Sequence, residues 1–295
     1  MVQKKKVGLA LGSGGARGSA HVGVLKILEE NKIRPDVIVG TSMGAEVGGA
    51  YAAGIEVAEL AAIWQSMTFG RVVKTLLPTI PWSGWSSGGE VLRTIRRLVG
   101  DLIIEELPLT YAAVATDLQT GLPYTITEGP LAQAIRASLS VPGLFTPVWI
   151  DGHLLIDGGV SNPVPVDVIR QLGAEMVIAV DVLVHPKEVR LSGIPVPDYR
   201  ERILGIIKRM ESSKPGENET RRFYPSVFTV LFQMSTVFQR RISELSLQAH
   251  PPDVLICPDF SPTPPCYSDV RNGIKAGEEA ARRALPTIYK LLYSK

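Results

Sequence analysis

The chain has 295 residues, 45% of them hydrophobic and 20% charged, which excludes a largely disordered polypeptide. Its 31 Lys and Arg against 29 Asp and Glu leave a net charge of +2, so it lacks the basic excess of a nucleic-acid binder and no nucleic-acid partner is expected. Two cysteines, Cys257 and Cys266, cannot build a disulfide framework, and no apolar run approaches the ~20 residues that cross a bilayer, so a soluble cytoplasmic protein is expected.

The charged start, residues 1–6, leads straight into Val7-Gly8-Leu9-Ala10-Leu11, which reads as a first strand and not as a signal peptide. A glycine-rich turn follows, then a helix over 19–31 with Val24, Leu25 and Leu28 on one face. A second strand is expected over 36–39, and a helix of small residues runs from Ala45 to a stop at Gly54. Further strands are expected at 111–116, 124–127 and 176–181, and the last helix, 274–285, is expected to end before Pro286 with 288–292 as a tail. Short apolar runs alternating with helical periodicity predict a three-layer α/β/α sandwich with a central, mostly parallel sheet.

Two stretches break the pattern. Residues 68–89 are loop-like, with Leu76, Leu77, Trp82 and Trp85 among prolines and glycines; 185–222 is rich in proline, serine and charge. In 223–247, Val227, Leu231, Met234, Phe238, Ile242 and Leu245 recur at helical spacing. The chain therefore reads as one domain, 1–295, with a variable insertion or helical arm at about 185–247.

Gly40-Thr41-Ser42-Met43-Gly44 fits Gly-x-Ser-x-Gly, a sharp strand-to-helix turn that presents a serine hydroxyl at a helix N-terminus. A second match, Gly84-Trp85-Ser86-Ser87-Gly88, follows a proline-broken stretch that makes a poor strand, so Ser42 is the expected nucleophile and Ser86 a loop residue. Gly12-Ser13-Gly14-Gly15-Ala16-Arg17-Gly18 joins the first strand to the first helix, and its unencumbered amides can point together at an oxyanion or a phosphate. It is not a dinucleotide fingerprint, because Arg17 stands where glycine is needed, nor a P-loop, which needs Gly-Lys.

These residues leave the base open. None of the four histidines carries a specific signal: His21 lies inside the first helix, His153 at a hairpin tip, His185 at the start of the variable region and His250 in a loop. A carboxylate can replace histidine within hydrogen-bond reach of the serine, and Asp157, at the end of an apolar run and before Gly158 and Gly159, is the best placed. Asp117, Asp151 and Asp181 are weaker rivals.

Together the glycine loop, the Gly40–Gly44 elbow and Asp157-Gly158-Gly159, in this order, resemble the patatin-like phospholipase family, in particular its bacterial members. Arg136-Ala137-Ser138-Leu139-Ser140-Val141-Pro142-Gly143 and the stretch from Gly159 to Pro165 are similar to that family as well, and the likeness covers 5–182, 253–258 and 270–285. The resemblance implies a Ser42–Asp157 dyad without histidine and an oxyanion held by the amides of Gly14, Gly15 and Ala16. It further implies Arg17 steadying the loop, lipid acyl esters, mostly phospholipids or lysophospholipids, as substrate, and neither metal nor other cofactor. Ser13 departs from the family's usual glycine. Expected partners are the lipid itself, a membrane surface met through 223–247 or 68–89, and a second copy of the chain in a homodimer. The alternatives are an esterase, thioesterase or acyltransferase on soluble substrates, and a lipid- or nucleotide-binding module without activity.

Overall fold

A computed structural model describes residues 5–66, 86–185, 193–194, 224–225, 227–259 and 270–293. The expected loop at 68–89 therefore falls largely outside the described residues, with Leu76, Leu77, Trp82 and Trp85, and so does most of 185–222. Two compact units are present: Met1–Val184 together with Phe238–Lys295, and His185–Val237. In the second, the two-residue strands Gly193–Ile194 (β8) and Tyr224–Pro225 (β9) pair antiparallel.

The larger unit is built on strands β1 (Val7–Leu11), β2 (Val37–Thr41), β3 (Thr110–Asp117), β4 (Pro123–Ile126), β5 (Val148–Ile150), β6 (His153–Asp157), β7 (Met176–Val180) and β10 (Val254–Ile256). They form one sheet in the order β10-β7-β1-β2-β3-β6-β5, with β4 on β3. β10, β7, β1, β2 and β3 pair in parallel, and the β3–β4, β3–β6 and β5–β6 pairs are antiparallel. The parallel strands are covered on both faces, which is why β1, β2 and β7 read as unbroken apolar runs.

The α-helices among the described residues are α1 (Ser19–Glu30), α2 (Met43–Ala52), α3 (Val57–Gln65), α4 (Gly89–Val99), α5 (Leu131–Ser138), α6 (Val166–Gln171), α7 (Val227–Ala249) and α8 (Val270–Tyr293). One core joins Leu9, Leu11, Ile38 and Ile178 to α1, α2, α3 and α8; the other joins Ala10, Val39, Val114 and Ala179 to α6. Two cores on opposite faces of one sheet make the three-layer sandwich.

The end of the last helix departs furthest from expectation. α8 does not stop before Pro286 but carries it inside a helix that reaches Tyr293. Proline removes one hydrogen bond from the ladder, yet the segment beyond it is anchored: Ile288 is fully buried, Tyr289 Oη donates to Asn31 Oδ1 at 3.0 Å and Lys5 Nζ to the Leu291 carbonyl at 2.8 Å. Tertiary packing outweighs the lost rung. In the part of α7 that belongs to the larger unit, Phe238 and Leu245 of the expected apolar stripe are exposed and Ile242 is half-buried.

The register around β3 positions the site. β2 runs up one edge of β3 and ends with Thr41 beside Val114; β6 runs down the same edge from the other end and stops with Asp157 beside Ala115. β4 occupies the opposite edge over Ala113–Thr116, so β2 and β6 share theirs and meet end to end. The residue after β2 is Ser42.

Candidate active site

Ser42 joins β2 to α2 with φ 55° and ψ −119°, a left-handed conformation that a non-glycine residue adopts at a cost of about 1–3 kcal/mol. The small residues around it permit the turn: a Cβ on Gly44 would overlap the Leu11 carbonyl, and one on Gly158 the Val114 carbonyl. The turn brings the helix close under the sheet and leaves the serine hydroxyl facing the end of β6.

There the hydroxyl donates to Asp157 Oδ2 at 2.6 Å. The other oxygen, Oδ1, accepts the Gly159 amide at 2.7 Å, which fixes the carboxyl plane. Both residues are buried, Ser42 4% and Asp157 3% exposed. Burial is the largest influence on the Asp157 carboxyl and pushes it up to about 6; the bonds from Ser42 and Gly159 oppose that rise. A carboxyl in this range can both accept and return a proton near neutral pH.

Two short bonds hold the pair from behind. The Ser42 amide donates to Ser138 Oγ at 2.7 Å, and the Asp157 amide donates to the Ser140 carbonyl at 2.9 Å. Thr116 Oγ1 donates to the Asp157 carbonyl at 2.9 Å. The sequence offers the 136–143 stretch only as a family likeness. The signal that could have marked it is two serines two apart beside an arginine, which says nothing until the chain folds.

The glycine loop lies next to the elbow and is tied on several sides. The Gly12 amide donates to the Val180 carbonyl at 3.0 Å, the Ser13 amide to Pro163 at 2.8 Å and the Arg17 amide to Gly14 at 3.1 Å. His21 Nε2–H donates to the Gly12 carbonyl at 2.8 Å, and burial depresses the imidazole to about 4, so it stays neutral and structural. Arg17 Nη2 reaches the Pro258 carbonyl at 3.2 Å. Ser13 Oγ donates to Gln239 Oε1 of α7 at 3.4 Å, a contact with no counterpart in the sequence reading. Gly14, Gly15, Ala16 and Gly18 complete the turn, with Gly15 at φ 53°.

The remaining candidates lie elsewhere. Ser86 sits in a bridge to Phe145, its amide bonded to the Leu144 carbonyl. His153 Nδ1 pairs with Asp117 Oδ2 at 2.8 Å, four residues or ~13 Å along β6 from Asp157. That bond, followed by the Gln119 amide, holds the Asp117 carboxyl below its usual range. Asp151 and Gly152 have φ 49° and 81° in the tight turn between β5 and β6. Asp181 accepts Arg240 Nη1 at 2.9 Å, and His250 is exposed after α7.

Residues 9–170 match the Patatin-like phospholipase family. An uncharacterised NTE family protein of Mycobacterium tuberculosis is 44% identical over 177 residues, 60% of this chain and 49% of that one. The neuropathy target esterase sws of Drosophila melanogaster is 38% identical over 181 residues, 60% of this chain and 13% of that one. The chain thus spans about half the length of the first relative and far less of the second. Among solved structures, VipD of Legionella pneumophila is similar with a TM-score of 0.46 and 13% identity, over 95% of this chain and 67% of that one. With more than half of its length inside the family match, the chain belongs to the patatin-like phospholipase family.

Proposed function

We propose that the protein hydrolyses carboxylic esters of lipids, phospholipids or lysophospholipids, through an acyl-enzyme on Ser42 with Asp157 as the base. The observation that carries this reading is the 2.6 Å bond from Ser42 Oγ to Asp157 Oδ2 between two buried residues on a strained elbow. Ser42 Oγ attacks the ester carbonyl carbon while its proton passes to Oδ2, and the carbonyl oxygen becomes an oxyanion. The Gly14, Gly15 and Ala16 amides receive that oxyanion; their neighbours Gly12, Ser13 and Arg17 already spend theirs on backbone carbonyls. Collapse breaks the ester C–O bond, and the proton on Asp157 goes to the leaving alcohol. Water then attacks the acyl carbon, Asp157 takes its proton and returns it to Ser42, and the fatty acid leaves. Nothing in this cycle calls for a metal.

The alcohol half of the substrate is left unspecified by the dyad, so the test is a screen. Phosphatidylcholine, lysophosphatidylcholine and a short soluble ester are offered to the wild type and to Ser42→Ala, and fatty acid release is measured. The reading expects release from at least one lipid and a loss of ~10⁴-fold or more in the variant. Release only from the soluble ester overturns the lipid part of the proposal, and equal release by Ser42→Ala overturns the nucleophile.

A lipid must be drawn from an interface, and the exposed apolar side of α7 suits that role: Phe238 is 56% and Leu245 50% exposed. On the other side of the same helix Ser243 is fully buried and Gln239 reaches Ser13 in the glycine loop. The helix packs Leu247 on the core and still leaves Phe238 and Leu245 in solvent, where a surface helix ordinarily carries only polar residues. Among the described residues no helix is long and apolar enough to cross a membrane.

A further inference from the structure

The edge of β3 has a gap where β2 and β6 meet, and one side chain fills it. Beyond Thr41 the chain turns into the elbow, so the Ser42 amide and the Val114 carbonyl lose the strand pairing they would have in a continuous ladder. Ser138 Oγ stands between them: it accepts from the Ser42 amide at 2.7 Å and donates to the Val114 carbonyl at 2.6 Å. Ser138 and Val114 are fully buried, so no water competes for either bond. Two residues on, the Ser140 carbonyl accepts the Asp157 amide at 2.9 Å. One short segment therefore holds the backbone of both residues whose side chains meet.

That segment is anchored by a buried cation. Arg136, 3% exposed, donates through Nη1 to Ser140 Oγ at 2.6 Å and through Nη2 to the Ser87 and Thr146 carbonyls at 3.1 Å each. Its Nε reaches the Gly88 carbonyl at 3.3 Å, and the guanidinium lies 5.2 Å from the Phe145 ring centre. A planar fork with this many fixed acceptors has little freedom, so the end of α5 is rigid where it touches the elbow.

We infer that Ser138 is a positioning residue of the reaction: its hydroxyl replaces a missing rung of the sheet and thereby sets the strained Ser42 backbone at bonding distance from Asp157. The inference rests on the Ser42–Asp157 reading above. It assigns Ser138 no contact with substrate. Removing the hydroxyl leaves the Ser42 amide and the Val114 carbonyl unpaired in a dry gap, and the elbow relaxes toward ordinary φ, carrying Oγ away from the carboxylate. A displacement of this kind slows chemistry far more than it weakens binding.

The test compares Ser138→Ala with Ile135→Val, which removes one buried methylene a turn earlier in the same helix. The readouts are the second-order rate of Ser42 labelling by a fluorophosphonate, kcat and KM on a soluble p-nitrophenyl ester, and the thermal midpoint. Ser138→Ala is expected to lower labelling and kcat by 10- to 100-fold with KM within about twofold. Ile135→Val is expected to lower the midpoint with labelling unchanged. Should Ser138→Ala not fold, Ser138→Cys, with a weaker and longer donor in the same place, is expected to show a smaller loss in the same sense. Folded Ser138 variants that label at the wild-type rate overturn the inference, and so does an equal loss in Ile135→Val. Asp157→Asn separates the two proposals: if it labels like the wild type the dyad itself fails, whereas if it is inert while Ser138→Ala is unaffected only the positioning role fails.

Discussion

The Asp157 carboxyl decides the pH behaviour of the proposed reaction. It must be deprotonated to accept the Ser42 proton, and burial raises its folded value from the usual carboxylate range to about 6. The sign follows: as pH falls through 6 the base is lost, so kcat/KM declines tenfold per pH unit below that value and is flat above it. The limb is read from kcat/KM on a soluble ester between pH 4.5 and 8.5. A limb near 6 is expected, and it is expected to persist in His153→Gln and His250→Gln, since neither histidine touches the pair. A limb that disappears in either variant would point to a histidine base. The two residues of the proposed dyad stand out in the sequence because each sits in a local pattern, a Gly-x-Ser-x-Gly elbow or an Asp-Gly-Gly turn. Ser138 and Gln239 are not legible, since a serine or glutamine acquires its role only from what folds against it.

At the scale of elements, strands β1, β2, β3 and β7 could be read directly, because buried parallel strands are short apolar runs cut off by glycine and polar residues; the antiparallel β4 is marked by its β-branched and aromatic residues instead. β5 and β10, of three residues each, carry too little pattern. The misjudged end of α8 has a physical cause: proline's local penalty is visible in the sequence, and the burial of Ile288 that outweighs it is not. That account predicts that Ile288→Ala costs about 2–4 kcal/mol in chemical denaturation. A frayed tail after Pro286 would make the change neutral. The periodicity of α7 shows that an apolar stripe exists but not which way it faces.

At the scale of the whole molecule, a parallel sheet with both faces covered presents its chemistry at the carboxyl ends of the strands, and here the antiparallel β6 returns to the same place. The exposed Phe238 and Leu245 lie on the helix that also touches the glycine loop through Gln239, so the proposed surface contact and the proposed site share one element. Burying the still exposed half of Phe238 and Leu245 is worth about 1 kcal/mol each. The double variant Phe238→Ser/Leu245→Ser is therefore expected to bind phosphatidylcholine vesicles at least ~10-fold more weakly in a flotation assay while hydrolysing a soluble ester at the wild-type rate. Unchanged vesicle binding with an altered oligomeric state would make this face a contact between copies of the chain.

The central claim is an activated serine at position 42 that depends on Asp157, and covalent labelling with a fluorophosphonate followed by peptide mapping tests it most directly. The account predicts one adduct, on Ser42, formed by the wild type and lost in folded Asp157→Asn. An adduct on Ser86, undiminished labelling of Ser42 in Asp157→Asn, or no adduct either with or without lipid micelles would contradict it.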